Sequence, residues 1–273
     1  MIPAAFDYVR AGSLDEALER LAASEGEAKV LAAGHSLLPL MKLRFANPPL
    51  LIDIGPLTEL SYVREAGEEV AIGALTRHHD LANSAELAEL APLLAHAAGK
   101  VGDPQVRHRG TIGGSLVHGD PASDLPAVVL ALGGSLVLAS SAGERVVAAG
   151  EFFTGFLETA LAEDELLVEV RVPRQVGGWG FEKFTRRAQD WAIVGVAVGG
   201  TAGGVGVALV NMGTTPLRAS ATEARLAAGA GAEQAAAVAD EGCEPISDLN
   251  ASGEYRRHLA RVLTARALRS AGY

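Results

Sequence analysis

Two short glycine-bearing segments hold most of the residues able to bind a charged small molecule. The first reads Lys29-Val30-Leu31-Ala32-Ala33-Gly34-His35-Ser36-Leu37-Leu38-Pro39. An apolar strand enters a turn of small residues, and a helical segment leaves it. Consecutive backbone N–H groups in such a turn converge on an anion, and Ser36 adds a hydroxyl donor. The same pattern also serves as a plain strand-to-helix connection. It carries neither the Lys-Ser/Thr of a Walker loop nor the Gly-x-Gly-x-x-Gly of a dinucleotide fingerprint. The second segment runs from Arg109-Gly110-Thr111-Ile112-Gly113-Gly114-Ser115 through Asp120-Pro121-Ala122-Ser123-Asp124. Thr111 and Ser115 flank a glycine pair, which predicts two hydroxyls and several unencumbered amides in one small space. Asp120 and Asp124 follow, and a carboxylate is the usual partner of ribose or ribityl hydroxyls. Taken as structure alone, Asp124 is a first-turn helix residue and Asp120-Pro121 a turn. Together the two turns suit a diphosphate ligand held between two subdomains.

The other chemistry-bearing residues form no catalytic set. His78, His79 and His108 read as surface or capping residues, because adjacent histidines point apart on a helix or a strand. Arg107 and Arg109 suit a phosphate, a partner chain or solvent. Cys243 sits in a predicted loop with no dyad partner, and one cysteine cannot hold a cluster or a disulfide within the chain. No Ser-His-Asp or paired-carboxylate arrangement emerges. That suits a carrier whose bound cofactor does the redox chemistry.

The elements that must position these residues follow from pattern. Ser13 and Glu16 have capping-box spacing ahead of a helix over about 14–23. Strands are predicted at 28–32 and 50–54, with a helical segment at 37–43 between them. This makes an α/β unit over 1–55. A second unit, 56–173, has strands near 60–64, 69–73, 134–139, 144–148 and 166–172. It also has a segment capped by Thr76, an Ala/Leu-periodic stretch over 85–98 and a helix over 123–132. Residues 102–119 read as a long irregular connection. A third unit, 174–273, has three strands (178–186, 192–200, 203–211) and helices near 221–228, 232–240 and 252–270, and its many glycines read as turn punctuation.

Composition excludes whole classes. With 49% hydrophobic residues the chain is not disordered. A formal charge of −10 argues against a general nucleic-acid binder. No run of about 18 apolar residues predicts a membrane helix. The opening MIPAAFDYVRAGS lacks the pattern of a secretory signal, so a cytoplasmic location is expected.

These motifs resemble the FAD-binding medium subunits of molybdenum hydroxylases, the family of aerobic carbon monoxide dehydrogenase medium subunits and the xanthine dehydrogenase flavin domain. Ala32-Ala33-Gly34-His35-Ser36-Leu37-Leu38-Pro39 is similar to that family's first flavin loop, and Thr111-Ile112-Gly113-Gly114-Ser115 to its second. The later Asp-Pro-Ala-Ser-Asp-Leu-Pro and Lys183-Phe184-Thr185-Arg186-Arg187-Ala188 are similar too, and the resemblance covers essentially the whole chain. It implies an α+β fold: a vanillyl-alcohol-oxidase type FAD domain in two α/β subdomains, then a small C-terminal α+β domain with a three-stranded sheet. It implies non-covalent FAD, with Ala32, Ala33, Gly34, His35, Ser36, Leu37, Thr111, Gly113, Gly114 and Ser115 around the diphosphate. By the same resemblance Asp124 binds sugar or ribityl hydroxyls. Leu167 and Lys183 contact the flavin, and Lys29 approaches the phosphate or adenosine. Ala33 stands where the family usually has glycine, and a methyl group there excludes positive φ. Trp191 stands where an aromatic either shields the flavin or packs in the core.

The implied function is electron transfer from the [2Fe–2S] clusters of a small partner to quinone, NAD or O2. A large molybdopterin subunit completes the complex, expected as a dimer of heterotrimers. The alternative is a stand-alone FAD oxidoreductase acting on a small substrate.

Overall fold

The computed structural model describes residues 2–273. Its first unit comprises β1 (Asp7–Arg10), α1 (Leu14–Ala23), β2 (Ala28–Leu31), α2 (Leu37–Leu43) and β3 (Leu50–Asp53). The strands form a parallel sheet in the order β1-β3-β2. Helix α1 starts because Ser13 Oγ accepts from the Glu16 amide at 3.1 Å. The expected capping box closes differently: Glu16 Oε2 accepts from the Gly12 amide at 2.9 Å, one residue earlier than the motif requires. The helix buries Ala17, Leu18 and Leu21.

The second unit is built on an antiparallel sheet. Its strands are β4 (Val63–Ala66), β5 (Glu69–Gly73), β6 (Ser135–Ser140), β7 (Gly143–Ala148) and a later strand, Leu166–Pro173. Helices α3 (His78–Asn83), α4 (Ala85–Leu90), α5 (Pro92–Ala98), α6 (Pro104–Arg109), α7 (Ile112–His118) and α8 (Asp124–Ala131) lie between β5 and β6. After β7 come α9 (Ala149–Phe152) and a small hairpin, β8 (Phe153–Gly155) with β9 (Glu158–Thr159). The later strand is therefore β10, and the sheet order is β4-β5-β10-β6-β7. β10 is apolar except for Glu169 and Arg171, which pair with each other at 2.6 Å, and both its faces are covered. Leu167, Val170 and Val172 join the main core under the helices, while Leu166 and Val168 pack against the first unit.

Several expectations here are corrected. The stretch 85–98 is two helices, because Pro92 starts a new one at its first position. Thr76 caps no helix: its buried hydroxyl accepts from the Tyr62 amide and gives its one proton to the Gly73 carbonyl at 2.7 Å, with the Tyr62 carbonyl 2.9 Å away. The connection over 102–119 contains α6 and α7. Asp103 Oδ1 caps α6 at the Val106 amide (2.9 Å), and Thr111 Oγ1 caps α7 at the Gly114 amide (3.1 Å). Its glycines masked two capped helices.

The last unit has β11 (Gln175–Phe184), β12 (Val194–Thr201), β13 (Gly204–Val210) and β14 (Leu217–Arg218), then α10 (Ser220–Ala227), α11 (Ala232–Ala236) and α12 (Gly253–Ser270). The sheet has four strands rather than three, since the two-residue β14 pairs with β13. Its glycines are not mainly turn residues. A Cβ on Gly178 or Gly180 would stand 1.9 or 2.1 Å from the carbonyl oxygens of Ala271 or Ala267 at the end of α12. One on Gly206 would stand 1.8 Å from Ala131 O. Helices lie directly on strand backbone there, and no larger residue fits.

Candidate functional site

The first glycine segment leaves β2 and enters α2. Gly34 adopts φ +73°, and a Cβ on it would lie 2.7 Å from Leu38 Cδ1. The left-handed turn falls on Gly34 alone; Ala33 has no positive φ, so its methyl group causes no backbone strain. The amides of Ala33, Gly34, His35 and Ser36 have no hydrogen-bond partner among the described residues. Ser36 begins α2 without a side-chain cap bond, which leaves its hydroxyl free as well. His35 is exposed, with Nδ1 3.3 Å from Ala33 O, and Leu37 is half-buried. Lys29 lies exposed on β2. A run of unpaired N–H groups beside a left-handed glycine is the local chemistry that receives an anionic oxygen.

The second segment is different, and the expectation of unencumbered amides there is corrected. Ile112 N donates to Thr76 O (3.1 Å), Gly113 N to Ala74 O (2.8 Å), Gly114 N to Thr111 Oγ1 and Ser115 N to Thr111 O. Gly113 is required by packing, since a Cβ would lie 2.7 Å from Ala74 O. Gly114 is exposed, and a Cβ on it would stand 2.9 Å from Thr111 Oγ1, the oxygen that caps its amide. Loop two is thus a rigid, self-satisfied wall, and loop one carries the open donors.

A cleft of about 280 Å³ takes one residue from each segment, Ala32 and Arg109, and is otherwise lined by Tyr8, Arg10, Asp53, Gly55, Pro56 and Arg77. Arg77 Nη1 donates to Arg109 O, just before Thr111. Burial and then the like charge of Arg109 lower the Arg77 guanidinium below its usual range. Asp53 is held in place by Tyr8 OH (2.5 Å) and the Gly55 amide (2.8 Å). Sequence reasoning missed Arg77, Tyr8 and Asp53. The only signal was Asp53 closing β3 ahead of Gly55-Pro56.

A second cleft, about 370 Å³, is lined by His96, Gly99, Lys100, Gly102, Arg107, Phe181, Glu182, Lys183, Thr185 and Ala188. At its floor Lys183 Nζ donates to Asp124 Oδ2 at 2.7 Å and to Lys100 O at 3.1 Å. Asp124 is 5% exposed, and its Oδ1 has no partner. Burial pushes this carboxyl up to about 6, with Lys183 pulling it back. Among the described residues that Oδ1 is a buried acceptor left without a donor. Leu167 is apart from both clefts, with its side chain in the main core. Trp191 is 58% exposed, so it is not a core residue. Asp120 Oδ1 accepts from the Ala122 amide (2.8 Å), as the turn reading has it. Cys243 lies in a loop, as expected, but its side chain is buried, and burial pushes its thiol up to about 11.

Open anion donors on one α/β unit, a rigid capped loop on the next and an orphaned buried carboxylate are features that suit a protein binding a phosphate-bearing ligand. The comparisons are specific. Residues 4–175 match the family model described as the FAD binding domain in molybdopterin dehydrogenase. Residues 179–271 match the CO dehydrogenase flavoprotein C-terminal domain. The carbon monoxide dehydrogenase medium chain of Hydrogenophaga pseudoflava is 43% identical, over 99% of this chain and 98% of that one. Caffeine dehydrogenase subunit beta of Pseudomonas sp. is 38% identical over 98% and 95%. A solved Hydrogenophaga pseudoflava carbon monoxide dehydrogenase, lacking the Mo-pyranopterin moiety of its molybdenum cofactor, superposes with a TM-score of 0.94. It shares 43% identity and covers 100% of this chain and 99% of its own. This chain belongs to the FAD-binding medium chains of the molybdopterin dehydrogenases, and FAD is the cofactor of that family. No helix is long and apolar enough to cross a membrane among the described residues.

Proposed function

We propose that this chain is the electron-transferring FAD subunit of a cytoplasmic molybdenum hydroxylase complex. It takes electrons from a small [2Fe–2S] partner and delivers them to quinone, NAD or O2, in a dimer of heterotrimers with a large molybdopterin subunit. Bound FAD supplies the exchange between two-electron and one-electron chemistry. The observation that carries this reading is the unpaired donor run Ala33–Ser36, which follows Ala32 at the cleft that Arg77 and Arg109 line. These amides and the Ser36 hydroxyl hold the diphosphate. Thr111, Gly113, Gly114 and Ser115 form the wall that fixes its position, with Gly114 leaving room for close approach. Ala32 and Leu37 frame the turn, His35 covers it and Lys29 reaches the adenosine side. Asp124 Oδ1 accepts from a sugar or ribityl hydroxyl, and Lys183, fixed by Asp124, faces the flavin from β11. Leu167 supports the site from β10.

Full-length similarity to medium chains of multi-subunit dehydrogenases favours the carrier over a stand-alone oxidoreductase. The test is isolation from the native host under gentle conditions. A yellow complex containing this chain, a cysteine-rich iron–sulfur chain and a molybdopterin chain is expected. A yellow homo-oligomer that turns over a small substrate unaided would replace this reading with the stand-alone one.

A further inference from the structure

The helix that leaves loop one is apolar on every side and yet lies on the surface. Six of the seven residues of α2, Leu37-Leu38-Pro39-Leu40-Met41-Lys42-Leu43, are apolar, and only Met41 is buried. A helix that is apolar all round is ordinarily an interior one. Leu43 is 52% exposed, and Phe45, just beyond the helix, is 79% exposed. Phe45 is not on a loose loop. Arg44 N donates to Met41 O at 3.1 Å and Phe45 N to Leu40 O at 2.9 Å, closing the helix over a left-handed Arg44 with φ +63°. In such a cap the residue after the left-handed one frequently packs back onto the last turn. Here the backbone is fixed and the ring stands out in solvent. The flavin loop does not cover this end, since seven helical residues set Leu43 about 10 Å beyond Ser36. The local charge has one sign. No Asp or Glu occurs from residue 28 to residue 52, in a chain of net charge −10, whereas Lys42 and Arg44 flank Leu43 and are exposed. Neither cation forms an ion pair among the described residues.

We propose that Leu43 and Phe45, edged by Lys42 and Arg44, are the docking surface for a different chain of the complex, one that presents an apolar pocket bordered by carboxylates. A rigid exposed aromatic entering a pocket is the kind of anchor that dominates protein association. Carboxylates on the partner pair the two cations that this chain leaves unpaired. A second copy of the chain is the wrong occupant, because a two-fold contact would set Lys42 and Arg44 against their own copies. The inference rests on the functional reading above for the existence of partner chains, and adds the surface that receives one of them.

Two double variants of the full-length chain, L43S/F45S and K42E/R44E, are isolated from the native host beside the wild type. FAD per chain, melting temperature and the amount of iron–sulfur and molybdopterin chains per flavin chain are measured for each. In the intact wild-type complex, a carbodiimide that joins an amine to a touching carboxylate is applied and the products are read by mass spectrometry. Both variants should keep their FAD and wild-type melting while carrying about tenfold less of the partner chains, or lower still. Lys42 should be joined to an Asp or Glu of another chain. This second arm is read in wild-type protein and stands even where a variant folds poorly. A variant that retains FAD and its full complement of partners overturns the proposal. So does an intact wild-type complex in which Lys42 is joined to a second copy of this chain, or to no other chain. Wild-type chain that purifies with FAD and without partners defeats the functional reading instead, a distinguishable failure.

Discussion

Replacing Lys183 with Met should destabilise the apoprotein in a pH-dependent way. Lys183 Nζ and Asp124 Oδ2 lie 2.7 Å apart, with side chains 10% and 5% exposed. Asp124 titrates at about 6 instead of its ordinary 3.8 even with the lysine in place. That rise of about two units is a cost of roughly 3 kcal/mol to the folded state at neutral pH. The sign is that of a carboxyl whose folded pKa is raised. Below about 4 both states hold the proton and there is no cost. Between about 4 and 6 the unfolded chain ionises first, stability falls, and above about 6 the cost is constant. Removing the lysine leaves the carboxylate buried with no counter-charge, so K183M should lose about a further 3–5 kcal/mol at pH 8. The loss should shrink toward pH 5, where Asp124 stays protonated. The double variant D124N/K183M should recover much of it. Urea denaturation of the four apoproteins from pH 5 to 8 completes the double-mutant cycle. Additive single losses, or a K183M loss that does not depend on pH, would refute the pairing.

The remaining predictions concern the loops and the core. G34A forces a Cβ into a φ +73° turn, 2.7 Å from Leu38 Cδ1, and should weaken FAD binding at least tenfold by fluorescence titration. A33G should leave FAD affinity within about threefold of wild type, because the left-handed residue is Gly34 and not its neighbour. Cys243, 3% exposed and with its thiol raised to about 11, should resist a thiol reagent at pH 8 in native protein and react at once in urea.

Elements were legible where local signals were strong and unopposed. Ser13 with its apolar periodicity marks α1, and the apolar runs mark β2, β3 and β10. The pair α6 and α7 was obscured because glycine and arginine content outweighed two short capping signals, Asp103-Pro104 and Thr111. In the last unit, glycine identity was visible but its cause was not. Gly178 and Gly180 are small because α12 lies on β11, a contact between residues about 90 positions apart in sequence. The site was legible as residue types at spacings, and Asp124 and Lys183 do meet at one cleft. The division of labour between the loops was hidden, since it depends on which amides Thr76, Ala74 and Thr111 already occupy. Arg77 escaped notice, and His78 was read as a surface or capping residue although it is buried, because nothing local shows that α3 starts under Gly110.

Amide hydrogen exchange with and without FAD tests the central claim most directly. In apoprotein the amides of Ala33, Gly34, His35 and Ser36 should exchange quickly, and those of Ile112, Gly113 and Gly114 should already be protected. One equivalent of FAD should slow the first group markedly and change the second little. Stoichiometric FAD binding that leaves residues 33–36 exchanging as fast as before would contradict the assignment of loop one as the phosphate cradle.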